Sequence, residues 1–469
     1  MNSLVGRFIT VALLLLVFAG ASAAQAPALD YDKLQAETAQ RLSEYLRINT
    51  SNPPGNELAT ARWLKDVLAR EGIDGQILDT AELGPGRANF YARLKGTGGG
   101  KAIALVHHMD VVPASTEWSV DPFSGTVKDG YVWGRGALDM KGHGIVQLMT
   151  FIAIKRAGMP LTRDLVYIGN ADEETGGLGS QTFIARHPDL IRDVEYVLTE
   201  SGGSRVEGGK VRWYGLNVGE KRVYWHKLVV KGKASHGSRP TPDNPVPRLA
   251  RILTRIGAWD TPLRVTPAVA RYFKAQAASE TGERRSWLND PAAAIRSPRG
   301  RAWLLSDPER NALLRNTISP TVLMGSNKTN TIPAEASAEL DIRLLPDQDT
   351  AAFRRDLLRV IADTAVTLTP IGHMAPAFSA PLDTEMSRAI QRTAARLAPA
   401  GVPFATTIST GATDRPYYAG AGLICYGVDP FLVEMEDVRR GVHGTDERVS
   451  IENLGFGVRL YAGVLQEMQ

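Results

Sequence analysis

Four clusters in this chain place imidazoles and carboxylates just past apolar runs or in glycine-rich turns. The first is Val106-His107-His108-Met109-Asp110-Val111-Val112-Pro113, and the second is Gly134-Arg135-Gly136-Ala137-Leu138-Asp139-Met140-Lys141-Gly142. The third is Ala171-Asp172-Glu173-Glu174-Thr175-Gly176-Gly177. The fourth joins Thr199-Glu200-Ser201-Gly202-Gly203 to the distant Gly441-Val442-His443-Gly444. A lone histidine or acidic pair beside a turn is ordinarily a solvated loop. Together the clusters offer His, Asp, Glu, Glu and His, a donor set suited to two hard or borderline divalent ions. The single cysteine, Cys425, excludes an internal disulfide and a cysteine-based zinc cluster, so any metal site must use oxygen and imidazole.

The elements around these clusters predict an α/β fold. Residues 102–106, 165–168 and 194–198 are short apolar runs, as buried strands of a parallel sheet should be. Helical spacing covers 31–46, 57–70 and 139–157, the second stopped by Gly72 and the third by Gly158 and Met159-Pro160. This alternation implies a mainly parallel sheet covered by helices, with ligands beyond the strand ends. The middle differs. Residues 227–230 and 336–343 alternate with period two, as strands with one solvent-facing side do, and a polar, helical stretch at 261–316 lies between them. The expected organisation is a catalytic domain over 27–221 and 371–469, with an α+β domain, 222–370, inserted into it. In the last part, 384–397 and 451–466 have helical spacing and 423–427 is strand-like.

Composition bounds the rest. A chain of 469 residues is long enough for two domains, and 43% hydrophobic with 22% charged residues is an ordinary globular balance. Lys and Arg number 54 against 50 Asp and Glu, scattered without a dense basic run, which argues against a nucleic-acid partner. Residues 1–26 read as an export signal: Arg7, an apolar run at 8–19, then Ala21-Ser22-Ala23. That run is shorter than the ~20 residues needed to span a bilayer. The expectation is a periplasmic or secreted protein with no stable membrane anchor after cleavage.

His108-x-Asp110-x-x-Pro113, Gly134-Arg135-Gly136-x-x-Asp139-Met140-Lys141-Gly142 and Asp172-Glu173-Glu174 occur in that order. The chain resembles the M20 metallopeptidase family over nearly all of its length after the signal. That family includes aminoacylases, glutamate carboxypeptidases and succinyl-diaminopimelate desuccinylases. The resemblance implies an α/β domain holding two metals per subunit, usually zinc, and an inserted lid domain that mediates homodimerisation. It assigns His108, Asp139 and Glu200 to the first metal, Glu174 and His443 to the second, and makes Asp139 the bridge. Cobalt or manganese would suit the same ligands. Glu173 matches the general base, and Asp110 the group that orients His108.

The segment Lys233-Ala234-Ser235-His236-Gly237-Ser238-Arg239-Pro240 is similar to the family's lid motif, which assigns His236 to the developing oxyanion, commonly across the dimer interface. Asn330 and Arg343 match substrate-binding positions; Arg343 offers a planar fork for a carboxylate, and an ion pair with a local Asp is its structural alternative, while Gly411 lets the backbone approach the substrate, with a simple turn as its alternative. His107 adjoins His108 on a strand and so points to the opposite face. His143, His187, His226 and His373 match no ligand position, and Cys425 lies in an apolar run that suits a buried thiol.

The reading is an exported di-zinc hydrolase that cleaves an amide bond next to a free carboxylate. Its substrate is a peptide or an N-acyl amino acid. Gly219-Glu220-Lys221, the extended lid and Thr410-Gly411-Ala412-Thr413-Asp414 resemble the carboxypeptidase S-like and N-acyl-amino-acid hydrolase branch more than desuccinylases; of its two activities a carboxypeptidase stands slightly ahead of an N-acyl-amino-acid hydrolase. From another class, a metal-containing binding protein without catalysis is the remaining alternative.

Overall fold

A nine-stranded sheet organises the larger part of the computed structural model, which describes residues 29–372 and 374–469. The expected signal at 1–26 and His373 lie outside the described residues. At the sheet's centre, Arg163–Asn170, Gly100–His108, Val194–Thr199 and Ile424–Val428 run parallel as neighbours. Asn89–Leu94 and Gly75–Leu78 extend one side antiparallel, and Lys210–Glu220 with Phe404–Ser409 extends the other. The central strands are buried on both faces, which explains their unbroken apolar runs.

Helices Tyr31–Leu46, Lys141–Ala157 and Ile451–Glu467 pack together on the sheet. The helix read as starting at 139 begins at Lys141, because Asp139 and Met140 remain in the turn that aims the Asp139 carboxylate. It ends at Gly158, which takes the left-handed conformation of a helix C-cap (φ 58°). Among the described residues no helix is long and apolar enough to cross a membrane.

A second, antiparallel sheet joins Arg222–Val223, His226–Lys231, Thr317–Met324, Glu335–Leu344 and Val366–Pro370. Its inward residues Leu228, Val230, Ala338, Leu340 and Ile342 share a separate core with Ile252, Phe353 and Leu357 of helices Pro245–Gly257 and Thr350–Ile361. The period-two pattern therefore reports one covered face.

The stretch 261–316 departs from its expected place within the inserted unit. Its helices bury Val269, Tyr272, Phe273, Leu288 and Leu304 in the core of the large sheet. Helix Pro267–Gln276 lies on Phe404–Ser409, and Tyr272 meets Trp213 edge-on at 5.6 Å. Val269, Tyr272 and Phe273 recur at i, i+3 and i+4, so one apolar stripe faces the sheet. The exposed charges of Glu283-Arg284-Arg285 dominate the sequence signal while the inward stripe decides the packing.

One close approach positions the Asp172-Glu173-Glu174 turn. A Cβ on Gly179, in helix Leu178–Arg186, would lie 2.1 Å from the carbonyl oxygen of Ala171 and 2.6 Å from its nitrogen. Both atoms are backbone just ahead of Asp172-Glu173-Glu174 and cannot swing aside. Gly179→Ala should lower stability by about 1–3 kcal/mol. Gly257→Ala, where nothing lies within 4 Å, should change it little. Urea midpoints of the two variants check this.

Candidate active site

Each proposed metal donor stands just past a strand or in a tight turn. His108 ends Gly100–His108, and Glu200 follows Val194–Thr199. Glu173 and Glu174 form a single 3-10 turn after Asp172, which is left-handed at φ 67°. His443 is left-handed as well (φ 57°) and follows helix Met435–Gly441.

These turns converge. His108 Nε2 is 3.1 Å from Asp139 Oδ1, while His443 Nε2 is 3.2 Å from Asp139 Oδ2 and 3.2 Å from Glu174 Oε2. Ligand atoms of His108, Asp139 and Glu200 all lie within 4.8 Å of one another, as do those of Asp139, Glu174 and His443. Asp139 thus offers one oxygen to each set, the arrangement of a carboxylate shared between two ions. Buried Glu174 Oε1 has no hydrogen-bond partner among the described residues, as a lone pair reserved for a cation would have none. The donor set fits two divalent metals.

The electrostatics agree. Burial pushes Glu200 up to about 8 against the pull of His108, with Asp139 adding to the rise. Glu173 is raised well above the carboxylate range, by burial and then by Glu200. Asp139 and Glu174 lift His443 to about 10. The metal-free site thus holds protons that cations would displace.

Two buried frames hold the donors. Glu447 accepts from the N–H groups of Leu138 (2.7 Å) and Asp139 (2.9 Å) on one oxygen, and from Gly136 N–H (2.9 Å) and Arg135 Nη1 (2.7 Å) on the other. Arg135 also donates to the carbonyls of Gly441 and Gly444, tying the Asp139 turn to the His443 turn. In the second frame, Asp110 accepts from the N–H groups of Glu173 and Glu174, both at 3.1 Å, and from Asn52 Nδ2 at 2.8 Å.

The orientation of His108 differs in detail from expectation. Its Nδ1 is 2.9 Å from the backbone carbonyl of Asp110 and 3.6 Å from the carboxylate. The carboxylate is occupied with the 173–174 backbone, so the main-chain oxygen takes the closer contact.

A cleft of about 550 Å³ opens over these groups. Asp139, Glu173, Glu174, Glu200 and His443 form its floor, with Ser409, Gly411 and Asp414 beside them. Val223, Trp225 and Arg343 contribute from the second sheet's unit. Arg343 lies over the Trp225 ring at 5.5 Å and donates from Nε to Asp341 at 2.7 Å, so it lines the cleft and also has a local acidic partner. His236 and Asn330 are not among the lining residues. Ser235–His236 pairs with Thr331–Ile332 in a separate two-stranded ribbon, where His236 is exposed.

The fold and the donor geometry have a counterpart in known proteins. The model of peptidase family M20/M25/M40 matches residues 104–467. The chain belongs to that family. N-fatty-acyl-amino acid synthase/hydrolase PM20D1 of Xenopus tropicalis is 28% identical over 380 residues, covering 77% of this chain and 71% of the relative. A carboxypeptidase S-like protein of Dictyostelium discoideum is 28% identical over 384 residues, covering 79% and 72%. Among solved structures, an M20 family metallo-carboxypeptidase from Sulfolobus solfataricus superposes with a TM-score of 0.69 at 17% identity, covering 92% of this chain and 98% of that one. That likeness concerns the fold.

Family membership makes the chain a metallopeptidase/amidohydrolase by class, and its geometry reveals supporting residues that the motifs did not single out. Asp414 accepts from Asn170 Nδ2 at 2.9 Å and Ser180 Oγ at 2.6 Å beside the cleft, and burial raises it to about 6. Arg415, fully buried, donates to Asn217 at 2.7 Å, Thr413 at 3.0 Å and Glu220 at 3.1 Å, fixing the loop that carries Gly411. Glu220 and Asp414 fell inside quoted motifs. Glu447 carried no signal, because its partners are backbone N–H groups more than 300 residues away.

His107 and Cys425 are buried and do not line the cleft. His107 lies against the Ile168 carbonyl and the hydroxyls of Tyr45 and Tyr167, and burial lowers it to about 3. Burial raises the Cys425 thiol, so it remains protonated.

Two outcomes follow from this geometry. Glu447→Gln sets an NH₂ group against two donors whichever way the amide is turned. It should cost about 1–3 kcal/mol and weaken metal affinity about 10- to 100-fold, read by thermal unfolding and by competition with a chelator. For pH, Glu200 and His443 have folded values above their unfolded ones. Their contribution to metal-free stability is present below the unfolded values and is lost as pH rises through about 8 and about 10. The gap in Tm between zinc-loaded and chelator-treated protein should therefore widen from pH 6 to pH 9. A gap that narrows would contradict the assignment.

Proposed function

We propose that this chain is an exported di-zinc hydrolase that cleaves an amide bond adjacent to a free carboxylate and releases an amino acid. The observation that carries it is one cleft shared by two metal-donor sets and by Arg343, a guanidinium stacked on Trp225. Asp341 engages Nε and Nη2 of Arg343, which leaves Nη1 for a substrate carboxylate.

His108, Asp139 and Glu200 would hold one ion, and Asp139, Glu174 and His443 the other. When bound, two such ions polarise a scissile carbonyl and acidify a water toward neutral pH. Glu173 lines the cleft 4.0 Å from His108 Nε2, within reach of a reacting water. Its carboxylate takes the water's proton and hands it to the departing amide nitrogen. Asp110 fixes Glu173 by holding its N–H. The Ser409–Asp414 loop, braced by Arg415, walls the carboxylate side.

A carboxypeptidase remains the first reading of the substrate, and the likeness to an N-fatty-acyl-amino acid synthase/hydrolase supports the N-acyl-amino-acid reading beside it. Both share the carboxylate-bearing leaving group. Export rests on the composition of residues 1–26.

The proposal includes a homodimer. Strand Thr317–Met324 pairs with Glu335–Leu344, and its residues Leu323 and Met324 are 63% and 62% exposed. An apolar strand of this kind suits pairing with a second copy. The partner would then supply His236 and Asn330 to this cleft.

Glu173→Gln should lower kcat about 10²- to 10⁴-fold with zinc stoichiometry unchanged. Arg343→Met should lower kcat/KM about 10- to 100-fold for free acids and leave the corresponding carboxamides unaffected. Equal cleavage of acids and carboxamides by the unaltered protein would remove the role given to Arg343. Mixing Glu173→Gln chains with His236→Ala chains should restore part of the activity, because a mixed dimer has one intact site. No recovery after demonstrated subunit exchange would place His236 outside the reaction.

A further inference from the structure

The main chain passes from the large sheet to the second sheet at Lys221. Strand Lys210–Glu220 ends just before it, and strand Arg222–Val223 begins just after it. On the large-sheet side, Glu220 accepts from Thr413 N–H at 3.2 Å, Thr413 Oγ1 at 2.8 Å and Arg415 Nη2 at 3.1 Å. Lys221 adds its own N–H, which donates to the Ser409 carbonyl at 2.8 Å. Ser409 lines the cleft, so the crossing starts from a fixed wall of the site.

The side chain of Lys221 then reaches a second crossing. Its Nζ donates to the Arg315 carbonyl and to the Thr317 hydroxyl, both at 2.9 Å. Leu313 and Leu314, just ahead of these residues, belong to the core of the large sheet, whereas Thr317 opens a strand of the second. In that sheet Thr317 stands directly opposite Arg343, and Val223 stands opposite Arg343 on its other side. Both cross-strand neighbours of Arg343 are thereby tethered to one residue, Val223 along the chain and Thr317 through the amine.

Lys221 is buried, and among the described residues no carboxylate bonds its amine. Burial first, and then the Arg343 guanidinium, lower the pKa of that amine, so the two side chains lie within each other's field. A buried amine held by neutral oxygens carries a desolvation cost that an aliphatic residue would avoid. What lysine supplies here is reach: a long apolar stem brings a donor from one crossing to the other.

We propose that Lys221 is the positioning residue of the carboxylate clamp, holding Arg343 at the distance from the metal donors at which a free acid is recognised. This role rests on the amide-hydrolase reading and on the part it gives Arg343, and adds what keeps Arg343 in place. Lys221 does not line the cleft, so it acts through Arg343 and not on the substrate. Without its amine, Asp341 still engages the guanidinium, but the Thr317 end of the neighbouring strand loses its tie to the large sheet. A substrate that must span clamp and metals then loses alignment. A carboxamide, which does not use the clamp, does not.

The test uses the full, zinc-loaded chain with N-acyl-L-leucines and blocked leucine-terminated dipeptides, each free acid beside its carboxamide. Lys221→Met keeps an apolar stem and removes the donor. It should lower kcat/KM for the free acids about 10-fold, with the loss in KM, and leave the carboxamides unaffected. Thr317→Val removes one acceptor at nearly constant volume and should move the acid-to-carboxamide ratio the same way by a smaller factor. In an Arg343→Met background neither substitution should change that ratio further, because the clamp they position is gone. Zinc content and Tm show which variants fold, and Thr317→Val carries the same test if Lys221→Met does not.

Equal losses on acids and carboxamides in the folded variants would overturn the positioning role. So would a change in the ratio that adds in full to that of Arg343→Met. A ratio that shifts in Arg343→Met but in neither of the other two would also overturn it, while leaving the clamp standing. Equal cleavage of acids and carboxamides by the unaltered protein would remove the clamp itself, and the role of Lys221 with it.

Discussion

Buried like charge is the constraint around which this structure is arranged. Asp139, Glu173, Glu174 and Glu200 share one cleft floor, and the imidazoles of His108 and His443 stand among them. In a low-dielectric site such a cluster cannot be fully ionised without compensation. The upward shifts of Glu173 and Glu200 come first from burial and then from their acidic neighbours. Two divalent cations provide the compensation, and the same cations supply the electrophile that amide cleavage needs. Stability of the loaded fold and catalytic capacity therefore have one origin.

A cluster that repels itself must be held by something else, and here irregular backbone is fastened by other carboxylates. Glu447 and Asp110 do not line the cleft. Each takes several main-chain N–H groups from turns that cannot satisfy them internally. Asp172 extends the second frame: it accepts from Asn52 at 3.0 Å and pairs with Arg87 at 2.8 Å, and Arg87 in turn binds Glu57 at 2.6 Å. These groups are buried and multiply bonded, which makes them rigid. Removing one oxygen leaves donors unpaired rather than merely weakening a contact. Precision at the metal donors is thus set by residues that would never be chosen as ligands.

The parallel core and the donor set were legible because both leave local marks. Buried strands at 102–106, 165–168 and 194–198 are continuous apolar runs; His108 ends one of the strands, and Asp139, Glu173, Glu174, Glu200 and His443 lie in segments with glycines that permit tight turns. Glu447 was invisible because its role depends on long-range backbone contacts. The helices at 261–316 were placed with the wrong core because surface charge at 283–285 outweighs a stripe of three apolar residues in a linear reading. His236 and Asn330 lie outside the cleft lining, since motif resemblance carries no information about where the fold places a side chain.

The joint between the two units bears directly on how the cleft keeps its shape. Lys221 follows strand Lys210–Glu220 and gives its backbone N–H to Ser409 at 2.8 Å, on the loop that walls the carboxylate side. Its ammonium reaches the other way, to the Arg315 carbonyl and the Thr317 hydroxyl, both at 2.9 Å, where the second sheet's edge strand begins. Among the described residues no carboxylate bonds it there, and burial lowers its pKa to about 7. A carbonyl and a hydroxyl accept from a neutral amine as well as from an ammonium, so the tie does not require the charge. One buried side chain thereby couples the Ser409 wall to the unit that carries Arg343. The distance between Arg343 and the metal donors is then set in part by this joint.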